Sequence, residues 1–350
     1  MTFLTWTQTP MIDMWRHLRY LRSPSNVSRL LSGEIKSNRE EKWPESEELK
    51  KRSYEIAACI RQADEYYQSS EAVSLTTQPL LQFYGAQALA KAVILSDDSN
   101  SWLSNLKYHG FSTRASSARI DQREKLQEYS GNSSLWELEK EFAITKGGVF
   151  PSLCGSISDN VPVDGTIMIF KDLTRCIPDL AEVFKRHYNE ASHCFYLYGK
   201  PTINAQGKQE VLFGSQERLE DIRRAFPEFN NDFEELREQH HCGFRSIKAS
   251  ETPKVIGKIE KGTVAGKYLV RPLDCGIYKS LSILYASLFI LSNVVRYKPA
   301  FWMRLIEGEQ SGSVSIAEAL CNHAKRRLPN DVLEAIWKED FVYATPGYFA

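Results

Sequence analysis

A predominantly helical α+β fold is predicted for this chain of 350 residues. Apolar residues recur with helical spacing before residue 95 and after residue 277, whereas the middle of the chain holds short segments of strand-like composition. The length exceeds the size at which one hydrophobic core usually stops growing. We therefore expect a helical domain at 1–151, an α+β insert at 152–272, and a helical region at 273–350 that packs back on the first domain.

The N-terminal part is predicted to contain two short helices within 11–31 and longer helices at about 47–69 and 80–95. The third helix carries a narrow stripe of mostly small residues, which predicts close packing against the fourth helix. The stripe consists of Tyr54, Ala57, Ala58, Ile60 and Ala63. The fourth helix is apolar on most sides, which predicts that it is buried. Gly85 within it predicts the close approach of another backbone.

Helical and strand-like segments alternate toward the middle of the chain. A helix is expected at 136–142, and the segment 258–267 is expected to form a hairpin. Strands are expected at 166–170, 194–198, 210–213, 244–248 and 267–270. Two helical segments with matching spacing surround Pro178 and Pro227 and predict a duplicated helix–strand unit. The two copies would bury four residues over one sheet: Leu180, Phe184, Phe229 and Phe233.

The C-terminal part is predicted to be helical throughout. A buried helix is expected at 277–295, and Pro299 is expected to begin a new one because proline starts a helix better than it continues one. A final pair of helices is expected at 316–325 and 332–337, with Asn330 or Asp331 capping the second of them.

The polar loop after the fourth helix gathers His109, Ser112 and Arg114 within six residues. An imidazole can act as an acid or a base near neutral pH, and an arginine beside it can hold a phosphate through two hydrogen bonds. The loop is therefore a candidate catalytic site. The alternative is that His109 and Ser112 only hydrogen-bond backbone groups of a loop that supports the fold.

Four segments of the chain resemble the YaaC-like family. They are Pro79-Leu-Leu-x-x-Tyr-Gly-x-x-x-Leu-x-Lys-Ala92, His109-Gly-x-Ser-Thr-Arg114, Lys146-Gly-Gly-Val-Phe-Pro151 and Arg296-Tyr-x-Pro-x-x-Trp302. The family's biochemical role is poorly defined, so the resemblance implies a relative and no particular reaction. It adds Lys146 and Arg296 as candidate ligand-binding residues. Because they lie in separate segments, we expect them to lie near His109 and Arg114 only if these residues form a common site.

The two longer N-terminal helices and the loop also resemble the HEPN fold. That resemblance implies ribonuclease chemistry at an arginine and a histidine with four to six residues between them, a spacing that Arg186 and His193 satisfy with six. The HEPN motif lies on a late helix of the helical bundle, whereas these two residues lie in the predicted insert. The alternative is a surface helix end with solvated histidines.

Composition limits the ligands and the cellular location. Lys plus Arg equals Asp plus Glu at 44 each, so any contact with nucleic acid must be a local patch. The apolar run 283–295 is too short to span a bilayer, and the N-terminus lacks a signal-like segment, so we expect a cytoplasmic protein that contacts no membrane. The seven cysteines form no Cys-x-x-Cys pair. His240, His241 and Cys242 have no further histidine or cysteine at the spacing usual for a metal site, so neither a metal nor a cofactor is predicted.

Two classes of function remain. The first is a module that handles the phosphates of RNA or of a nucleotide in a stress or antiviral setting; as an enzyme it would be a HEPN-like ribonuclease or have another phosphate-directed activity. The second is a non-catalytic scaffold whose helical face pairs with a second copy or with a partner protein. An enzyme predicts a concave, electropositive pocket that holds His109 and Arg114, whereas a scaffold predicts an exposed apolar patch.

Overall fold

A computed structural model describes residues 2–35, 37, 39–40, 42–124, 137–197, 202–203, 209–215, 219–226, 233–235, 245–250, 259–261, 267–308 and 311–344. The helices are α1 Pro10–Tyr20, α2 Pro24–Leu31, α3 Glu47–Glu71, α4 Gln78–Asp97, α5 Val149–Ser156, α6 Phe170–Arg175, α7 Ala181–Tyr188, α8 Leu219–Ala225, α9 Ser280–Tyr297, α10 Pro299–Ile306 and α11 Ser311–Trp337. The strands are β1 Thr2–Trp6, β2 Phe111–Ser112, β3 Phe142–Thr145, β4 Ile167–Ile169, β5 Cys194–Leu197, β6 Thr202–Ile203, β7 Gln209–Ser215, β8 Phe233–Glu235, β9 Arg245–Ser250, β10 Ile259–Lys261, β11 Lys267–Val270 and β12 Asp340–Ala344. The predicted fold class, a predominantly helical α+β fold, is confirmed.

Helix α4 lies at the centre of the helical part. Helices α3, α5, α9 and α11 all pack against it. Phe83, Leu89 and Ala92 are fully buried, although they lie on different sides of the helix. The prediction of a buried helix is therefore confirmed, and its apolar residues point in several directions because the helix has neighbours on most sides.

The two short N-terminal helices and the packing of α3 on α4 are confirmed as well. Ala57, Ile60 and Ala63 form the buried part of the predicted stripe. The prediction was wrong for Tyr54 and Ala58, which are exposed. They lie on the solvent side of α3 because the 3.6-residue period rotates them away from α4.

Gly85 marks a close approach, but the neighbour is a side chain and not a backbone. A Cβ atom built on Gly85 would lie 2.7 Å from Cδ2 and 2.7 Å from Cε2 of Tyr67. The Tyr67 ring is buried and packs on Trp15 at a centroid distance of 5.1 Å, so it has little room to move. The glycine is needed because α3 delivers an aromatic ring onto α4 at this point.

A 3₁₀ turn and the start of a small antiparallel sheet take the place of the helix expected at 136–142. Residues Leu138–Lys140 form a single 3₁₀ turn, and β3 then pairs with β2 on one side and β4 on the other. The helix prediction was wrong because β3 is stabilised by its partners in the sheet, which local spacing does not reveal. The polar loop is consequently part strand, since β2 is formed by Phe111 and Ser112.

Three further sheets are present in the described residues. One has the order β10-β11-β5 and confirms the hairpin, since β10 and β11 are antiparallel neighbours. Another has the order β6-β7-β9-β8. Strands β1 and β12, which were not predicted, pair in parallel. The expected strand at 166–170 ends at Ile169, because Phe170 begins α6.

The hypothesis of a duplicated unit is wrong. Pro178 begins a 3₁₀ turn that leads into α7, and Leu180 and Phe184 are buried in the main core beside α11. The matching position in the second segment, Phe233, lies in strand β8 and not in a helix. Pro227 and Phe229 lie outside the described residues. The similar spacing therefore does not produce similar structure.

The C-terminal part contains one long helix where two were expected. Helix α9 and the start of α10 at Pro299 are confirmed, but α11 runs through Pro329 without a break. Asp331 caps nothing there and instead pairs with Arg327 at 2.8 Å, one turn earlier. The prediction failed because Leu328 and Val332 continue a buried stripe across the proline, and this burial outweighs the cost of the missing backbone hydrogen bond. The domain boundaries at 151 and 272 stay predictions.

Gly85→Ala should lower the free energy of unfolding by about 1–3 kcal/mol, because the added Cβ would overlap the Tyr67 ring. Gly155→Ala is the matched control, since its Cβ would meet only Val161 Cγ2 at 3.8 Å and alanine is the better helix former. The two values follow from urea denaturation of both variants. Equal stability of Gly85→Ala and the parent would contradict the close approach.

Stability should fall as the pH is lowered from about 7 to about 5. Burial lowers the pKa of His17, His109, His193 and His323 below the ordinary value of 6.5, that of His193 to about 3. The unfolded chain therefore takes up protons near pH 6.5 that the folded chain does not, which favours unfolding at lower pH. A urea midpoint that is equal at pH 7 and pH 5 would contradict this prediction.

Candidate functional site

Two of the segments that carry the family resemblance pair through their backbones. Lys146 N donates to Gly110 O at 2.9 Å, and Val149 N donates to Tyr108 O at 2.9 Å. Strands β2 and β3 continue the pairing, with Phe111 opposite Thr145. The loop that contains His109 is thus held against the turn that begins at Lys146.

Two glycines make this pairing possible. Gly110 has φ +92° and Gly148 has φ +137°, a region that side chains rarely adopt. A Cβ on Gly110 would lie 2.5 Å from Phe150 N, and one on Gly148 would lie 2.6 Å from Tyr108 O. The first N–H groups of α5 are occupied by these loop carbonyls, so that helix end is not open to an anion.

His109 is fixed between two helices. Its ring lies 5.4 Å from the Phe83 ring on α4 and 6.1 Å from the Phe289 ring on α9, measured between centroids. Its backbone oxygen accepts a hydrogen bond from Tyr285 Oη at 3.1 Å. The imidazole is therefore positioned by the rigid core and not by the loop alone.

The hydrogen bond to Gln87 assigns the proton on His109. Gln87 Nε2 lies 2.6 Å from His109 Nδ1, and since an amide nitrogen can only donate, Nδ1 accepts. Burial lowers the pKa of His109, and the positive charges of Arg296 and Lys91 lower it further. The neutral imidazole then carries its proton on Nε2 and offers an N–H donor at pH 7.

Arg296 and Lys91 complete what we call the His109 cluster: Tyr84, Gln87, Lys91, His109 and Arg296. Arg296 Nη1 donates to Tyr84 Oη at 3.4 Å and Nη2 donates to Asn293 Oδ1 at 2.8 Å. In the described part of the chain, no carboxylate pairs with Arg296, and the Lys91 ammonium has no hydrogen-bond partner. The cluster thus gathers donors and positive charge without a balancing acid, which suits an anion.

The predicted site residues are only partly brought together. His109 and Arg296 meet in the cluster. Arg114 is exposed, and its backbone N–H donates to Ser112 Oγ at 3.2 Å. Ser112 Oγ also lies 3.0 Å from Ser117 Oγ, and the Lys146 side chain is exposed. None of the three has a contact with the His109 side chain among the described residues.

Sequence reasoning missed Gln87 and Lys91. Both belong to a helix that was interpreted as core, so their polar side chains received no role. The signal was their spacing: Tyr84, Gln87 and Lys91 lie three and four residues apart, which places them on one face of α4. That face is the one against which the loop and α9 are packed.

Arg186 and His193 do not form a joint site. Arg186 is exposed and pairs with Glu182 at 2.6 Å, one turn earlier on α7. His193 lies in a separate cleft, where Arg175 and Arg271 are the cations beside it. The spacing of Arg186 and His193 in the sequence therefore does not bring their side chains into contact in the described structure.

The described residues contain no group of three His, Cys, Asp or Glu side chains that could hold a metal ion. His240, His241 and Cys242 lie outside the described residues. Helix α9 is the one described helix that is long and apolar enough to cross a membrane, and 78% of it is buried in the fold, as expected of a core helix.

The sequence profile of the YaaC-like protein family matches residues 19–336. The chain belongs to the YaaC-like protein family. This match includes the whole His109 cluster and all four segments that carry the resemblance. No curated protein and no solved structure matches the chain. The resemblance to the HEPN fold receives no support from these comparisons.

His109→Ala should lower the free energy of unfolding by about 1–2 kcal/mol, because the ring packs between Phe83 and Phe289. Arg114→Ala should change it by less than about 0.5 kcal/mol, because the side chain is exposed. Urea denaturation of the two variants measures the difference. A larger loss for Arg114→Ala than for His109→Ala would contradict the described packing.

Proposed function

We propose that this YaaC-like protein binds the phosphate groups of single-stranded RNA at the His109 cluster, as a cytoplasmic protein in a stress or antiviral setting. One observation carries the proposal. Lys91 and Arg296, from different helices, both act on the pKa of His109, and no carboxylate influences it or pairs with either cation in the described residues. Two like charges held near each other without an acid repel, and a bound phosphate would remove that cost.

The aromatic surroundings favour RNA over a free phosphate. Tyr297 is 71% exposed, and the Arg296 guanidinium lies 5.1 Å from the centre of its ring. The Tyr66 and Tyr84 rings are 5.5 Å apart at the same end of α4. Bases of single-stranded RNA stack on such rings, while the neighbouring cations hold the backbone.

The geometry supports binding better than cleavage. The Nδ1 atom of His109 is occupied by Gln87, and the other ring nitrogen carries the proton, so the imidazole is a donor and not a base as it stands. The hydroxyl of Ser112 lies beside Ser117 and has no basic partner in the described residues. Two cavities of the described structure are lined by residues outside the His109 cluster. Lys91, His109 and Arg296 are partly exposed, and a charged cluster that solvent reaches fits a polymer better than an enclosed substrate.

A second candidate function rests on a different surface. Leu4 and Val342 are directly paired in the two-stranded sheet, and they are 51% and 37% exposed. Paired residues point to the same face, so the sheet presents an apolar patch. This patch favours a scaffold that pairs with a second copy. Light scattering of the parent and of Leu4→Lys tests it, since a dimer that persists in the variant would contradict this role.

RNA binding is tested by fluorescence anisotropy with a labelled single-stranded RNA between about 50 and 200 mM salt. Lys91→Gln should weaken binding and reduce the slope of log affinity against log salt by about 0.7, the loss of one phosphate contact. Arg326→Gln is the control, because Arg326 is an exposed cation on α11 outside the cluster. No RNA binding at low salt, or equal slopes for the two variants, would contradict the proposal.

A further inference from the structure

A cleft of about 940 Å³ lies apart from the His109 cluster and has no assigned role. None of the five cluster residues lines it. Its lining includes Arg175, His193 and Arg271 together with the exposed Val161 and Val163. A cleft of this volume is large enough to enclose a small organic molecule.

The sheet and α6 bring the three polar residues together. His193 directly precedes β5 and Arg271 directly follows β11, two strands that pair with Cys194 opposite Val270. Arg271 N donates to His193 O at 2.9 Å, which extends the ladder by one residue pair. His193 N donates to Arg175 O at 2.9 Å, so the end of α6 is fixed to the same point. The two arginines are thus anchored next to His193 from separate elements, and the charge of each acts on its imidazole.

Among the described residues, one of the two guanidinium groups near His193 has no partner. Arg175 Nε donates to Ala191 O at 2.8 Å, and its Nη1 is 3.8 Å from Glu190. Lys171 holds Glu190 more closely, at 2.7 Å. The Arg271 guanidinium has no hydrogen bond or ion pair among the described residues. Burial lowers the pKa of His193 to about 3, with further lowering by Arg175 and Arg271, so the imidazole between them is neutral.

The carboxylates of the cleft are already engaged. Arg119 binds Asp121 through two N–H groups, at 2.9 and 3.1 Å. Asp172 and Asp274 each have a partner of their own. Asp274 partly offsets the effect of the arginines on His193. The acids therefore do not neutralise the free guanidinium of Arg271, and an incoming anion would find a donor already in place.

Apolar residues line the same cleft as these donors. Val161 and Val163 are 50% and 61% exposed, and Pro162 and Met168 line the cleft beside them. Exposed valines at the edge of a cleft lose water contact when an apolar group covers them. These apolar residues therefore favour a ligand with an apolar body over inorganic phosphate alone.

We propose that this cleft binds a small phosphate monoester with an apolar body. The phosphate accepts hydrogen bonds from Arg175, His193 and Arg271, and the body lies on Val161 and Val163. Three phosphate oxygens match donors from three side chains, whereas a carboxylate with two oxygens leaves one donor unused. The ligand site is independent of RNA binding at the His109 cluster.

Calorimetric titration with phenyl phosphate, inorganic phosphate and benzoate tests the proposal. Phenyl phosphate should bind most tightly, and Arg271→Gln should weaken it by about tenfold to a hundredfold. Val161→Ser should weaken phenyl phosphate by about threefold and leave inorganic phosphate unchanged. Arg186→Gln is the matched control, because Arg186 is exposed on α7 and does not line the cleft.

The outcomes separate the alternatives. No saturation by phenyl phosphate up to about 10 mM, or equal binding of benzoate, would overturn the proposal. Equal effects of Arg271→Gln and Arg186→Gln would overturn the assignment to the cleft. Since Arg271→Gln can lower stability, the imidazole NMR signals of His193 in the parent protein give a second measurement, and they should shift on titration with phenyl phosphate. Lys91→Gln should bind phenyl phosphate as the parent does, whether or not RNA binding at the His109 cluster is correct.

Discussion

The burial of helix α4 on most of its sides is the constraint on which the rest of the structure depends. In such a helix, a hydrogen bond to a neighbouring element offsets part of the cost of burying a polar side chain. Gln82 Nε2 donates to Cys321 O on α11 at 3.2 Å, and Gln87 binds His109. The orientation of α4 therefore decides where the loop can dock. The position of the imidazole is a consequence of core packing.

The end of α4 needs a partner of its own, because the last carbonyls of a helix have none within it. Arg52 from α3 supplies a donor, since Nη1 reaches Leu95 O in the last turn at 3.3 Å and Asp98 O directly after the helix at 2.9 Å. The guanidinium is fully buried and lies between the Trp43 and Trp102 rings, 4.8 and 4.4 Å from their centres. A buried charge in this setting is tolerated because carbonyl dipoles and ring faces replace its water. It fixes the direction in which the chain leaves α4 toward the loop.

The sequence predicted what depends on local spacing and missed what depends on distant partners. The apolar period gave α3, α4 and α9, and proline gave the start of α10. The helix expected at 136–142 is instead a 3₁₀ turn that leads into β3, and the strand was missed because its four residues carry little periodicity and depend on pairing with β2 and β4. Helix α11 continues through Pro329 because burial on both sides of the proline outweighs one missing hydrogen bond. The parallel pairing of β1 and β12 has no local signal at all.

Local sequence spacing was equally insufficient for the His109 cluster and for the cleft at His193. The two sites nevertheless share one physical arrangement. His109 was predicted from its loop, but Lys91 was hidden in a core helix, and Arg175 and Arg271 lie on elements far apart in the chain. In each site a neutral histidine lies beside two cations, and the cations and burial together keep its pKa low. A protonated imidazole would add a third positive charge, which this arrangement avoids. A bound phosphate would reverse that balance and raise the pKa of the histidine, because the protonated form would then be attracted and not repelled. Anion binding at either site should therefore be coupled to proton uptake and strengthen as the pH falls, within the range in which the fold remains stable.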